Sequence, residues 1–364
     1  MSVATDPDTI RDEAFGTVVG QAAAVSALRN WAGDPLHAYH FVGPSGTGKR
    51  QAARAFAAAV QALHLDTGAE DDGDAARDRQ LRLGLEDKHP DIEWHEPAGA
   101  SLLVGQARDM IIPSAFRKPA DGPRRILVID RFHDATDQAA AALLKTVEEP
   151  PPNAILILLA ESIPQWHVPI ASRCARIDFP PLRHDDLADW LAGQGVDQSQ
   201  AAEFIEASAG DLQRLSLLIA DPGFAERSAL WNSLPSTIDG SGATAGRLVR
   251  ELTALIAAAS EPLAERHAQE LEELDAREEA LGTRGSGRST IDARHKRELR
   301  KLRTEELQFG LRVLARRYGR AVAEGGGRPM VEAVNRLRDA NEALVRNPNE
   351  GLLLHNLFWN LPRL

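Results

Sequence analysis

One cysteine, Cys174, is all the thiol chemistry this 364-residue chain carries. A lone cysteine excludes an intramolecular disulfide framework and any multi-cysteine zinc cluster, and it agrees with a reducing compartment. Long apolar runs are missing as well. No stretch reaches the roughly 18 apolar residues that a membrane helix needs, and Met1 to Asp12 is polar and acidic. The expectation is a cytoplasmic protein without membrane contact. Positive charge is in deficit, with 42 Lys and Arg against 53 Asp and Glu and a formal net charge of −11. That balance excludes a surface that coats nucleic acid as a whole and leaves any DNA contact to a local basic face. The remainder is ordinary for a soluble globular chain, 43% hydrophobic and 26% charged, and long enough for two or three domains.

The most telling deficit is chemical. Gly43-Pro44-Ser45-Gly46-Thr47-Gly48-Lys49-Arg50 follows the phosphate-loop pattern G-x-x-x-x-G-K-[ST] in every residue but the last. In that pattern backbone N–H groups and the lysine hold phosphates, while the final hydroxyl holds Mg²⁺. Arg50 has donors only and a permanent positive charge, so it repels the metal that the hydroxyl would bind. The same substitution recurs downstream. Ile126 to Asp130 reads as a buried strand delivering an acid, and Arg131 stands where a water-activating glutamate usually follows. Two catalytic positions are both arginine, which implies a nucleotide-switch fold without hydrolysis of its own. Gly43, Gly46, Thr47, Gly48, Lys49 and Asp130 are the candidate nucleotide residues. Two readings of the loop stay open: it holds ATP or ADP without turnover, or it is kept for its turn geometry, with a helix N-terminus facing water or a stray anion.

Apolar strands and amphipathic helices alternate through the first half. Phe41-Val42-Gly43 ends a short strand, and Lys49 to Leu63 is an Ala-rich helix with Phe56 and Val60 on one face. Asp91 to His95 reads as a second strand, Val104 to Phe116 as a helix, and Arg124 to Asp130 as a strand buried on both faces. Ala139 to Glu149 is a helix that Pro150, Pro151 and Pro152 stop, and Ala154 to Ala160 is the next strand. The alternation implies an α/β domain with a parallel sheet and helices on both faces.

Past Pro180-Pro181 the strand signal ends. Asp185 to Leu191, Gln200 to Ala207 and Asp211 to Ile219 read as three short helices forming a small lid, Pro235 to Gly246 as a linker, and the chain from about Arg247 as long helices. The expected domains are therefore residues 1–181, 182–232 and 233–364. Within the last, a hairpin at about 262–308 is unusual in charge: Leu263 to Ala280 has a balance of −5 and Arg284 to Arg303 one of +6. The Gly/Ser-rich break Gly282 to Ser289 lets the arms fold back on each other. Either the arms neutralise each other, or the basic one touches DNA phosphate or a partner.

Together, Val19-Gly20-Gln21, the loop at Gly43 to Lys49, Leu143-Leu144-Lys145-Thr146-Val147-Glu148-Glu149-Pro150 and Ser172-Arg173-Cys174 make the chain resemble the delta-prime subunit of bacterial DNA polymerase III clamp loaders. The resemblance covers roughly residues 15 to 182. It implies an AAA+ P-loop core with a helical lid and an all-α C-terminal collar, in a hetero-oligomeric arc with motor ATPase and delta-like subunits that acts on a sliding clamp and primed DNA. It also implies that Arg173 is an arginine finger acting in trans, a role suited to a planar, always-charged donor. The alternative for Arg173 is a structural pair with a carboxylate between core and lid. Cys174 is then a small buried hydrophobe rather than a nucleophile. Many such relatives carry a four-cysteine zinc module between the loop helix and the next strand. The corresponding stretch, His64 to His95, has His64, His89 and His95 but no Cys, so no metal is expected. In the lid, a sensor arginine is often found three residues after a glycine, whereas Gln213 follows Gly210 at that spacing and Arg214 comes one place later. Other readings are an ATP-hydrolysing tau/gamma-like subunit or another AAA+ motor, and a DNA-binding adaptor.

Overall fold

The computed structural model describes residues 6–66, 73–97, 101–281, 288–344 and 348–364. Most of the Gly/Ser-rich break, residues 282–287, lies outside them. The chain forms two compact units, Met1–Ile205 with Gly210–Arg214, and Glu206–Ala209 with Leu215–Leu364. Among the described residues no helix is long and apolar enough to cross a membrane.

The first unit is built on a five-stranded sheet: β1 (Ala38–Val42), β2 (Ile92–His95), β3 (Arg125–Ile129), β4 (Ala154–Ala160) and β5 (Ala175–Asp178), in the spatial order β2-β3-β4-β1-β5. Every pairing is parallel, with Ala38 beside Leu156 and Val128 beside Ile157. This is the α/β architecture the sequence implied. β1, β3 and β4 are buried along their whole length, as strands covered on both faces must be. Helices α1 (Pro7–Phe15), α2 (Ala22–Gly33), α3 (Lys49–Leu63) and α4 (Gly73–Leu85) complete one side. The alanines of α3 let its neighbours approach closely: a Cβ on Gly84 of α4 would stand 2.6 Å from that of Ala58. Tyr39, Phe41 and Phe56 interlock beneath it, with the Tyr39 and Phe56 rings 4.8 Å apart and edge-on.

Between β2 and β3 the chain is less regular than its apolar period suggests. The single helix expected over Val104 to Phe116 is α5 (Val104–Gln106), a π-helical turn at Ala107–Ile111, and α6 (Ile112–Ala115). Pro113 has no N–H for the carbonyl four residues back, so the ladder slips. Next come α7 (Asp137–Glu148), capped by Thr136 Oγ1 accepting from the Ala139 amide at 3.2 Å, and α8 (Val168–Ala171). Beyond β5 lie α9 (His184–Gly193), α10 (Gln198–Ser208) and α11 (Leu212–Ile219).

The remaining helices are α12 (Phe224–Thr237), α13 (Gly242–Leu281), α14 (Arg288–Ala323), α15 (Gly327–Leu344) and α16 (Glu350–Asn360). The linker expected at Pro235 to Gly246 is shorter than the sequence suggested. Pro235 sits in the last turn of α12, where Ser236 and Thr237 hydroxyls donate to the Ser233 carbonyl at 2.8 and 2.9 Å. In this second unit α14 packs against α12, α13 and α15. Trp231 is fully buried against Gly310, whose Cβ, if added, would lie 1.9 Å from the indole. Arg227, buried beside it, is paired with Asp221 and with Glu306 at 2.9 Å.

The two charged arms of the hairpin meet each other. Arg288 pairs with Asp275 and Arg294 with Glu270. His267 and His295 stack face to face at 3.8 Å, each bonded to a carboxylate of the opposite helix, Glu298 at 2.7 Å and Glu270 at 2.8 Å.

One core residue gives the first unit a pH dependence. His40 of β1 is fully buried, and neither ring nitrogen has a hydrogen-bond partner. Burial, helped by the nearby His167 and Arg176, pushes its pKa down to about 4. An unfolded histidine takes a proton below about 6.5. Between these values the unfolded chain binds more protons than the folded one, so stability is full above 6.5 and falls as pH drops toward 4. Urea unfolding across pH 7 to 4.5 should show His40→Leu removing a slope of at most about 1.4 kcal/mol per pH unit; an unchanged slope would show that His40 is not its source.

Candidate functional site

The P-loop leaves the end of β1 and opens α3, and Asp130 follows the last residue of β3, so both lie at the carboxyl ends of a parallel sheet, where open α/β folds bind ligands. Gly46 and Gly48 have φ of +71° and +87°, conformations that side chains rarely adopt. Gly43 is required for close approach, since a Cβ there would sit 2.0 Å from the Phe179 carbonyl. Thr47 is buried, its hydroxyl donating to the Pro44 carbonyl at 2.9 Å. Gln21, itself left-handed at φ 57°, ties the loop down by donating to the carbonyls of Thr47 at 3.1 Å and Pro180 at 2.7 Å. This gives the Val19-Gly20-Gln21 signature a physical reason.

Lys49 turns back on its own loop. Its Nζ donates to the carbonyls of Gly43 at 2.6 Å and Pro44 at 2.5 Å. Burial lowers its pKa, opposed by the carboxylates of Glu161, Asp130 and Asp211. Arg50 reaches the other way. Its guanidinium bonds Asp130 Oδ2 at 2.5 Å and Glu96, and lies over the Trp94 ring at 4.8 Å from the centroid. Partial burial works against its charge, yet Asp130 and Glu96 outweigh that and raise its pKa. The other oxygen of Asp130 accepts the backbone N–H of Arg131 at 2.7 Å. Arg131 takes φ 50° and holds Asp134 with Nε at 2.9 Å and Nη2 at 2.5 Å. The two substituted arginines thus do different things: Arg50 neutralises the strand-end acid, and Arg131 braces the turn that follows it.

Sequence reasoning missed three members of this constellation. Glu96 and Trp94 come in just after and within β2, a strand without a motif. Asp211 was passed over beside Gly210 and Arg214, yet its carboxylate accepts from the Ser45 hydroxyl at 3.2 Å and the next amide, Leu212, donates to the Gly46 carbonyl at 3.1 Å. A Cβ on Gly46 would fall 2.1 Å from the Asp211 carboxyl carbon. The sensor-type residue Arg214 is buried, its amide donating to Asp211 Oδ1 at 3.0 Å.

Arg173 stands apart from the loop. Following α8, it is half-exposed, with Nε at 2.5 Å from Glu148 Oε1 and Nη1 donating to the Pro169 carbonyl at 2.7 Å. Its carboxylate partner belongs to α7 of the same core, so the two segments Leu143 to Pro150 and Ser172 to Cys174 are joined by this pair. The three histidines of the stretch 64–95 go to separate partners: His64 to the Ala32 carbonyl at 3.1 Å, His89 to Gln80 and the Asp91 amide, His95 to Glu93 at 3.3 Å. Among the described residues no three His, Cys, Asp or Glu side chains converge as metal ligands.

Residues 20–183 match the family model described as "DNA polymerase III, delta subunit". The delta' subunit of Bacillus subtilis DNA polymerase III is 30% identical over 48% of this chain and 54% of its own length. The tau subunit from the same organism is 34% identical over 46% of this chain and 29% of its own. A DNA polymerase III gamma subunit-related protein of Thermotoga maritima is 17% identical, covering 93% of this chain and 97% of that one, with a TM-score of 0.43. The chain thus spans about half the length of one of these curated relatives and under a third of the other.

Cys174 follows Arg173 but is chemically quiet. Its thiol donates to the Ile170 carbonyl at 3.3 Å, and burial pushes its pKa up to about 12. Iodoacetamide at pH 8 should alkylate the folded chain at least about 10²-fold more slowly than a free thiol, because the thiolate is the reacting form; alkylation at the free-thiol rate would show an activated cysteine.

Proposed function

We propose that this chain, whose residues 20–183 match the DNA polymerase III delta subunit family model, serves as a delta-prime-like stator of a DNA polymerase III clamp loader, with those residues as its AAA+ core. In this reading residues 182–232 are its lid and 233–364 its collar. It joins motor ATPase and delta-like subunits in a cytoplasmic hetero-oligomer that opens a sliding clamp and places it on primed DNA. The chain does not hydrolyse ATP. It offers Arg173 to the nucleotide site of a neighbour, where the guanidinium exchanges Glu148 for the phosphate oxygens on which charge develops.

The observation that carries the reading is the Arg50–Asp130 pair. Hydrolysis at a P-loop needs an acid free to hold a metal and a second one to position water. Here the first is neutralised by a guanidinium, and Arg131 occupies the position of the second. Similarity to tau alone is compatible with a motor subunit, and these two arginines separate the cases. An adaptor acting through the basic arm is disfavoured, because Arg288 and Arg294 are already paired with acids of the opposite arm. Nucleotide bound without turnover at Lys49 belongs to the same proposal.

Purified alone, with or without primed DNA, the chain should show no ATP turnover above background. In a reconstituted loader Arg173→Ala should slow hydrolysis at the site it faces by about 10³-fold or more. Turnover by the lone chain that disappears in Lys49→Ala would overturn the stator reading.

A further inference from the structure

The loop keeps its phosphate-binding groups while its cation position is taken by the protein itself. Among the described residues the amides of Thr47, Gly48, Lys49 and Arg50 have no hydrogen-bond acceptor. They are the donors that a loop and a helix N-terminus present to an anion. The Lys49 ammonium is held only by two neutral carbonyls, partners that a phosphate oxygen outcompetes because charge-assisted bonds are about twice as strong. Asp130, in contrast, has an oxygen on Arg50 and an oxygen on the Arg131 amide. Arg50 is fixed further by Glu96 and by the Trp94 face, so moving it aside for a metal breaks two ion pairs and a cation–π contact.

We infer that Arg50 is a built-in replacement for the divalent cation, so that the P-loop takes a nucleoside diphosphate without metal. The inference rests on the proposed reading that the loop binds nucleotide. The diphosphate is chosen over the triphosphate on charge. Glu161, Asp130 and Asp211 all act on Lys49, and Glu96 adds a fourth carboxylate through Arg50. Lys49 and Arg50 oppose them. A terminal phosphate normally shares its charge with Mg²⁺; here it meets an already acidic site with one guanidinium whose charge is shared between Asp130 and Glu96 through Nη1. Asp211, bonded to Ser45 beside Gly46, leaves the loop least tolerant of that additional charge.

Binding of ADP and of ATP to the full chain, measured by calorimetry in EDTA and again with excess Mg²⁺, tests this. ADP should bind in EDTA with an affinity that Mg²⁺ does not strengthen, and more tightly than ATP in EDTA by about tenfold, the scale of one additional charge at short range. Arg50→Thr restores the hydroxyl and frees Asp130, and should make Mg²⁺ strengthen nucleotide binding at least tenfold. Arg50→Lys keeps the charge, should retain metal-free ADP binding, and serves if the threonine variant does not fold. ADP binding that requires Mg²⁺ in the unsubstituted chain would overturn the inference and leave the nucleotide-binding reading standing. Absence of ADP and ATP binding in both buffers would overturn both and identify the loop as a turn kept for its geometry. Metal dependence unchanged in Arg50→Thr would remove Arg50 from the account.

Discussion

A guanidinium resting on the carboxylate at the end of β3 is the contact on which the character of the core depends. In a hydrolysing P-loop fold that carboxylate is half of a metal site, and the metal couples the loop to the strand end. Here the coupling is covalent on one side and electrostatic on the other: α3 delivers Arg50, the end of β3 delivers Asp130, β2 contributes Trp94, and the residue after β2 contributes Glu96. The loop helix and the strand end are therefore joined without a bound ion. Arg131, sitting in the left-handed region and clasping Asp134, braces the turn that follows.

The same logic recurs in the second unit, where charge is again settled inside the chain. The arms carry seven acids and eight bases. Each arm also carries a His-x-x-Glu turn, His267 to Glu270 and His295 to Glu298, and the antiparallel crossing lets each histidine find the other arm's carboxylate. The reciprocal bonds set the register of the hairpin.

Legibility in the sequence followed the source of each element's stability. Strand β4 emerges with the bounds that its apolar run predicts, because a strand buried on both faces has no polar period to blur its ends. Helix α3 begins at Lys49 because the motif that precedes it has only one local geometry. Elements that depend on tertiary cover were invisible: α1 and α2, whose polar faces look like coil, and β5, whose outer residues Arg176 and Asp178 pair with each other on an exposed edge. In the site, loop and strand-end acid were readable from spacing alone. Glu96 and Asp211 were not, since each reaches the loop from an element distant in sequence and no local pattern encodes such an approach. The partner of Arg173 lay in a segment already singled out for other reasons, and only its proximity was new.

Cys174, the single thiol, directly follows Arg173 and is partly buried. Its burial makes the natural chain a ready background for site-selective chemistry, with nothing to be removed beforehand. A cysteine introduced at an exposed position such as Trp166 or Leu352 would be the one reactive sulfur, and a dye attached there could report on assembly from a known point on either unit.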